Sequence, residues 1–126
     1  MFFHVMLGAN DLEASKTFYD AVLGALGVPS KGEFRAQPQA YMYGDPQNGL
    51  FFITKPQDGE AATHANGGTV MFRAADHAAA NAFYAAGIAA GGRDVNGPPA
   101  PGGLPGSVMG YLRDPCGNKI SVIAFT

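Results

Sequence analysis

Four side chains in this chain of 126 residues carry the imidazole or thiol groups that most often bind metals or act as nucleophiles. They are His4, His64, His77 and Cys116. A single cysteine excludes an internal disulfide and every zinc site built from several cysteines. Cys116 has no histidine near it in sequence, which favours a thiol in a turn over a nucleophile. His64 falls in a polar segment and His77 at the start of a helix, positions typical of solvated side chains. His4 stands in an apolar run near the start of the chain.

Composition narrows the classes of function. Ten acidic and eight basic residues give a net charge of −2, and the absence of a Lys/Arg cluster argues against nucleic-acid binding. Apolar residues make up 47% of the chain, but none of its apolar runs approaches the roughly 18 residues of a membrane span. The opening residues lack a basic segment and a cleavage site, so we expect no signal peptide, no membrane partner and a cytoplasmic location. The length suits one domain, 1–126.

An internal repeat divides the sequence in two. Residues 4–27 align without a gap on residues 69–92, and the identities include Phe18 with Phe83 and Tyr19 with Tyr84. A second block, 44–53, aligns on 113–122. Repeats of this kind indicate duplicated structural units. We predict a module one at 1–56, a polar linker at 57–66 and a module two at 67–126.

The sequence of each module predicts a βαβββ unit. A short apolar run predicts a strand, and Asp11 or Asp76 then precedes a segment with helical spacing, where its carboxylate can cap the helix. Three extended segments follow, with Asp-Pro turns before the last one in both modules. The predicted segments are about 30 to 36, 40 to 45 and 49 to 55 in module one, and about 92 to 97, 107 to 113 and 118 to 125 in module two. A Pro/Gly-rich stretch at 97–106 predicts a loop.

Two motifs at opposite ends of the chain carry a family resemblance. The pattern H-V-x-L-x-x-x-D-L-x-x-S-x-x-F-Y-x-x-x-L-G from His4 to Gly24, and Y-x-x-D-P-x-G-N-x-I from Tyr111 to Ile120, resemble the two ends of the vicinal oxygen chelate superfamily. That superfamily groups glyoxalases, bleomycin resistance proteins and extradiol dioxygenases. The resemblance implies an α+β fold in which two tandem βαβββ modules form a partly open, U-shaped mixed β-barrel with helices outside.

The resemblance also implies where a metal would be bound in enzymatic members. Ligands there are a His or Gln on the first strand, a His on the matching strand of module two and a Glu on the last strand. A Glu or His on the last strand of module one often joins them. The matching positions here hold His4, Thr69, Phe52 and Ser121. Only His4 is a conventional ligand, and hydroxyl or phenyl groups do not hold Zn, Ni, Mn or Fe ions. We therefore expect no metal cofactor at the usual place, with a site displaced toward His64 as the alternative.

Strand alternation predicts the cleft surface, because side chains two apart share a face of a sheet. The predicted ligand-binding residues are His4, Met6, Tyr41, Tyr43, Phe52, Thr69, Met71, Met109, Tyr111 and Ser121. Such a surface suits a flat or apolar small molecule. The alternative is that Met6, Met71 and Phe52 simply fill the barrel. Arg35 and Arg73 are the cations best placed to meet an anionic ligand.

Two functions follow from these expectations. The first is a small-molecule-binding protein with a degenerate metal site and an apolar or aromatic ligand in the cleft between modules. The second is a glyoxalase-like lyase or isomerase, or a dioxygenase, with an unconventional metal site. The resemblance also implies a homodimer, which short two-module chains of this kind form by pairing and by exchanging modules.

Overall fold

The computed structural model describes residues 1–126 and contains the two βαβββ modules that the sequence predicts. Module one consists of β1 (His4–Gly8), α1 (Leu12–Ala25), β2 (Ser30–Ala36), β3 (Gln39–Asp45) and β4 (Gly49–Thr54). Module two consists of β5 (Val70–Arg73), α2 (His77–Ala89), β6 (Arg93–Pro101), β7 (Val108–Arg113) and β8 (Lys119–Ala124). The predicted α+β class and the duplication are confirmed.

Each module forms its own four-stranded sheet. Sheet one has the strand order β1-β4-β3-β2, and sheet two has the equivalent order β5-β8-β7-β6. The first strand of each module pairs in parallel with the last one, and the remaining pairs are antiparallel. β1 and β5 consequently lie at sheet edges, each with one side unpaired.

Both helices begin at the predicted aspartates. The carboxylate of Asp11 accepts a hydrogen bond of 3.0 Å from the backbone N–H of Ala14, and that of Asp76 accepts one of 2.8 Å from Ala79. These contacts satisfy N–H groups that have no partner inside the helix. The same local chemistry therefore starts the helix in both modules.

The strand β6 extends further than the sequence predicts. The predicted segment ends at residue 97, but Ala100 and Pro101 still pair with Met109 and Val108 across an irregularity that begins at Val95. Proline removes a backbone donor, which a strand tolerates when its outer side is free of partners. β6 is the edge strand of sheet two, so part of the predicted 97–106 loop is strand.

A single hydrophobic core joins the two modules. Its 17 buried residues come from both helices and from one face of each sheet. The ring centroid of Phe51 lies 4.8 Å from that of Tyr19 and 5.3 Å from that of Phe72. Phe72 in turn lies 6.0 Å from Phe83 on α2. Aromatic pairs at these separations stabilise beyond the area they bury, so the two helices and both sheets share one interior.

This shared core decides which surfaces stay open. We call the sheet face that packs on the helices its helix-side face and the opposite one its open face. Because both helix-side faces belong to one core, the two open faces do not face each other, and the strands do not close into a barrel within one chain. Both helices pack on the helix-side faces of the sheets and share their core. Neither helix is long and apolar enough to cross a membrane.

Candidate functional site

His4 lies at the start of β1 on the open face of sheet one. Its imidazole contacts aromatic rings: the centroid of Phe52 is 5.3 Å away and that of Phe3 is 6.2 Å away, both edge-on. No hydrogen bond joins the ring to another group of the protein. His4 therefore stands as an exposed imidazole beside apolar rings.

The open face of sheet one is aromatic and apolar around His4. Met6 follows two residues along β1 and lies opposite Phe52 in the strand register. An irregularity in β2 between Glu33 and Arg35 turns Phe34 onto the same face, where its ring lies 4.8 Å from that of Phe52. Met6 and Phe34 are exposed, whereas Phe52 is buried beneath them. The predicted placement of Met6 and Phe52 on this face agrees with the structure.

Tyr41 and Tyr43 lie on the helix-side face of sheet one and not on the predicted cleft surface. Both rings belong to the helix-side core, and their hydroxyls donate hydrogen bonds of 2.6 Å to Glu13 and 2.8 Å to Asp20 on α1. The bond to Glu13 raises the pKa of Tyr41 to about 12. Burial, followed by the bond to Asp20, raises the pKa of Tyr43 well above its ordinary value.

The register of β3 against β4, which the sequence alone does not determine, explains why the two tyrosines lie on the helix-side face. In β3 the residue opposite Phe52 is Met42, which places Met42 on the open face and both tyrosines behind it. A shift of one residue exchanges the two faces of a strand. Met42 is thus an open-face residue that the sequence analysis missed.

The open face of sheet two carries most of the predicted module-two residues. Ser121 lies between Met71 of β5 and Tyr111 of β7 in the register, and Met109 lies opposite Ile123. The hydroxyl of Tyr111 contacts only the Met109 sulfur, at 3.6 Å. Thr69 precedes β5 and is exposed. The Ser121 side chain is fully buried, and its hydroxyl has no hydrogen-bond partner in the protein.

One groove brings predicted residues of both modules together. It has a volume of about 340 Å³ and runs between the edge strands β1 and β5, and we call it the β1–β5 groove. Its lining includes His4, Met71 and Tyr43, together with Phe3 and Arg73. Of the other predicted residues, Tyr41 lies in the helix-side core and Thr69 precedes β5. The rest lie on the two open faces and do not meet within one chain.

A second cavity was not anticipated from the sequence. It has a volume of about 530 Å³ and lies between the β2–β3 turn and the linker, lined by polar groups that include Gln37, Gln39, Lys55 and Glu60. The linker is held there by Asn10, whose side chain accepts a hydrogen bond of 2.7 Å from the N–H of Ala62 and donates one of 3.1 Å to its carbonyl. Nothing in the spacing of these residues signals such a pairing.

Comparisons with known proteins agree with this architecture. The family model of the glyoxalase/bleomycin resistance protein/dioxygenase superfamily matches residues 2–122. The chain belongs to this superfamily. A glyoxalase/bleomycin resistance protein from Albidiferax ferrireducens T118 is 48% identical, with a TM-score of 0.86 over 98% of both chains. A comparison with curated proteins gives no match.

More distant members of the superfamily share the fold. A putative glyoxalase from Bacillus halodurans is 21% identical, with a TM-score of 0.76 over 98% of this chain and 95% of its own. A lactoylglutathione lyase from Agrobacterium tumefaciens is also 21% identical, with a TM-score of 0.64 over 98% and 92%. At this identity the likeness concerns architecture, because one fold hosts many activities.

The residues at the ligand positions of the superfamily do not fit a metal ion. His4 and Phe52 lie on the open face of sheet one, whereas Thr69 and Ser121 belong to sheet two. No three His, Cys, Asp or Glu side chains come together in a group that could hold an ion. His64, the alternative donor, lies in the linker against Gly117, where a β-carbon would fall 2.7 Å from its Nδ1. This superfamily member thus offers isolated donors rather than a ligand set.

Proposed function

We propose that this member of the superfamily binds a small molecule with an apolar or aromatic body on its open faces, without a catalytic metal ion. The composition of those faces carries the proposal. Phe34 and Met6 form an aromatic and thioether surface over the buried Phe52 on sheet one, and Met71 and Tyr111 form its counterpart on sheet two. Such groups bind flat or apolar molecules by stacking and dispersion.

The available donors support binding rather than chemistry at a metal centre. Three of the four positions implied by the resemblance hold Thr69, Phe52 and Ser121, which are neutral side chains. Acid–base catalysis without a metal requires a carboxylate or imidazole beside the reacting atoms. His4 is the one such group on either open face. The surface therefore supports ligand binding better than it supports catalysis.

We further propose that a second copy of the chain completes the binding site. Phe2 and Phe3 beside the β1–β5 groove are 80% and 61% exposed, and Met71 is 39% exposed. The strands β1 and β5 each leave one edge unpaired. Exposed apolar groups and free strand edges mark surfaces that associate. In such a pair, the open face of sheet one of one copy would meet the open face of sheet two of its partner.

A neutral fluorescent dye, N-phenylnaphthylamine, tests ligand binding directly. We expect saturable binding that Phe34→Ser weakens severalfold, because this exposed ring lies against Phe52 on the proposed surface. Ile88→Ser is the matched control, since Ile88 is 41% exposed and lies on α2 rather than on an open face. Equal binding by wild type and both variants would contradict the proposal, as would absence of saturable binding.

Metal titration separates binding from metal-dependent catalysis. Protein dialysed against a chelator is titrated with Zn²⁺, Ni²⁺, Mn²⁺ and Fe²⁺ in a calorimeter, and we expect no stoichiometric binding at micromolar concentration. His4→Ala and His64→Ala test the two candidate donors, with His77→Ala as the control. Tight binding that only His4→Ala abolishes would overturn the proposal and favour a lyase, isomerase or dioxygenase with an unconventional site.

Sedimentation tests whether two copies of the chain form a dimer. We expect a dimer at micromolar concentration that Met71→Lys dissociates, because a charge would be buried at the proposed contact. Ile88→Lys is the control, since Ile88 is equally exposed but lies on α2. A monomeric wild-type protein at this concentration would rule out the dimer.

A further inference from the structure

Cations are concentrated on the open faces. Arg93, Arg113 and Lys119 lie opposite one another across β6, β7 and β8, on the same face as Ser121 and Tyr111. Arg73 follows Met71 by two residues on β5 and joins this face. On sheet one, Arg35 reaches the hydroxyl of Thr54, which shares a face with Phe52. Five of the eight basic side chains of the protein thus lie on these two surfaces.

None of the ten carboxylates lies on either open face. Those within strands are turned to the helix side: Glu33 lies opposite Tyr41 and Asp94 opposite Leu112. Asp45 follows Tyr43 by two residues and caps its own turn through Asn48. The remaining seven lie on α1, at helix N-termini, in the linker or in the second Asp-Pro turn: Asp11, Glu13, Asp20, Asp58, Glu60, Asp76 and Asp114. The charge of the open faces is therefore positive, although the protein is negative.

The open-face cations have only uncharged partners. The single ion pair of the protein joins Lys16 to Asp20, both on α1. Arg35 donates to the Pro38 carbonyl at 2.8 Å and to the Thr54 hydroxyl at 3.0 Å, and Arg113 donates to the Gly117 carbonyl at 3.1 Å.

Two further cations lie over aromatic rings. Arg73 is 5.1 Å from the ring of Phe125, and Lys119 is 5.1 Å from that of Tyr111. Contacts with rings and carbonyls hold these groups in place but leave their charge uncompensated.

A buried hydroxyl lies among these cations. Ser121 is 0% exposed, its Oγ has no partner, and Lys119 precedes it by two residues on the same face. A buried hydroxyl without a hydrogen bond is unfavourable, and an oxygen atom of an incoming acid would accept a hydrogen bond from it. Charge and hydroxyl independently indicate an oxyanion at this position.

We propose that the ligand is an organic acid, with an apolar or aromatic body and one carboxylate or similar oxyanion. The proposal rests on the binding function proposed above and specifies the class of its ligand. The acidic end lies over Ser121, Lys119 and Arg113 of sheet two, and the body lies against Phe34 and Phe52 of sheet one. When two copies bring these faces together, Arg35 adds to the cations around the site. An anion then offsets repulsion between like charges, which is strong where water is excluded.

A pair of dyes tests the charge separately from apolar binding. Anilinonaphthalene sulfonate and N-phenylnaphthylamine share an aromatic body, and only the former is an anion. We expect the anion to bind at least about tenfold more tightly at low salt. Its affinity should fall with added salt, because ions screen exposed charges, whereas that of the neutral dye should not.

Substitutions test whether the anion binds at the proposed position on sheet two. Lys119→Gln and Ser121→Ala should each weaken the anionic dye about threefold to tenfold and leave the neutral dye unchanged. Lys31→Gln is the matched control, because it removes one charge that faces Asp45. Near-ultraviolet circular dichroism checks that each variant is folded.

The outcomes distinguish the two proposals. If the neutral dye binds and the anion binds no better, the organic-acid inference fails while the binding function stands. If neither dye binds, the binding function itself fails. Equal loss of anion affinity in Lys31→Gln and Lys119→Gln would show nonspecific attraction and would also overturn the inference.

Discussion

The hydroxyl of Tyr19 donates a hydrogen bond of 2.6 Å to Oδ2 of Asp114, and this contact joins α1 of module one to the second Asp-Pro turn of module two. Both side chains are buried. Asp114 also accepts from the backbone N–H of Cys116 at 2.9 Å and from the side chain of Asn118 at 2.9 Å. Burial, followed by the charge of Asp114, raises the pKa of Tyr19 well above its ordinary value. The bond therefore ties the two modules together inside the core.

Tyr19→Phe should lower the free energy of unfolding by about 2 kcal/mol, the scale of a hydrogen bond to a charged group. Urea denaturation measures the change. Tyr84→Phe is the matched control, because Tyr84 is the repeat equivalent of Tyr19 and donates at 2.7 Å to the exposed Asp94. We expect this control to lose less than about 1 kcal/mol. Equal losses in the two variants would refute the special role of the Tyr19 bond.

Alanine substitutions at two helical glycines should change the stability of the protein in opposite directions. A β-carbon on Gly87 of α2 would overlap Leu112 and come within 3.1 Å of Val22 on α1, so Gly87→Ala should destabilise the protein by about 1–3 kcal/mol. A β-carbon on Gly24 of α1 would meet nothing within 4 Å, so Gly24→Ala should stabilise it by up to about 1 kcal/mol. Melting temperatures of both variants give the signs. A stabilised Gly87→Ala would mean that α1 and α2 are not in close contact.

Stability should fall in alkaline solution. Tyrosine in an unfolded chain ionises near pH 10, whereas the pKa values of Tyr19, Tyr41 and Tyr43 are raised in the folded protein. Above about pH 10 the unfolded state has released protons that the folded state keeps, so the free energy of unfolding decreases as pH rises. The contribution is complete below pH 10 and is lost between about pH 10 and 12 and beyond.

Urea midpoints between pH 8 and 12, with tyrosinate absorbance, measure this loss. Tyr43→Phe should show a smaller decrease than wild type, because one buried phenol no longer titrates. Tyr111→Phe is the control, since its hydroxyl donates to no carboxylate. An unchanged decrease in Tyr43→Phe would contradict the assignment.

Ser121→Ala should leave stability unchanged or raise it by up to about 1 kcal/mol, because it removes a buried hydroxyl that has no partner. Ser107→Ala is the matched control. Ser107 is also buried, but its hydroxyl donates to the carbonyl of Leu104 at 2.6 Å, so its loss should cost about 1 kcal/mol. Denaturation curves compare the two. A destabilised Ser121→Ala would indicate a structural role for that hydroxyl.

Much of the fold was accessible from the sequence because its signals are local. Asp11 and Asp76 cap helices through groups three residues away, and both Asp-Pro turns lie where their composition predicts. The repeat then transferred each assignment from one module to the other. The exception is β6, where Pro101 pairs with Val108 because an edge strand tolerates proline. Only the position of β6 in the sheet reveals this.

The candidate site was less accessible, because it depends on register and on which faces are covered. Alternation places His4 and Met6 on one face, but the pairing of Met42 with Phe52 decides that Tyr41 and Tyr43 lie on the other. Ser121 was assigned as a neutral replacement for a ligand. That its hydroxyl is buried and unpartnered among cations follows only from the assembled sheet.

The sequence by itself therefore determined two βαβββ modules and their superfamily, since these follow from residue identity and short-range spacing. Only the tertiary structure decided that α1 and α2 share one core with one face of each sheet. Burial of apolar area drives that packing, and it acts between residues far apart in the chain. This packing leaves the two open faces of one chain apart. Five of the cations lie on those faces, and the carboxylates lie elsewhere.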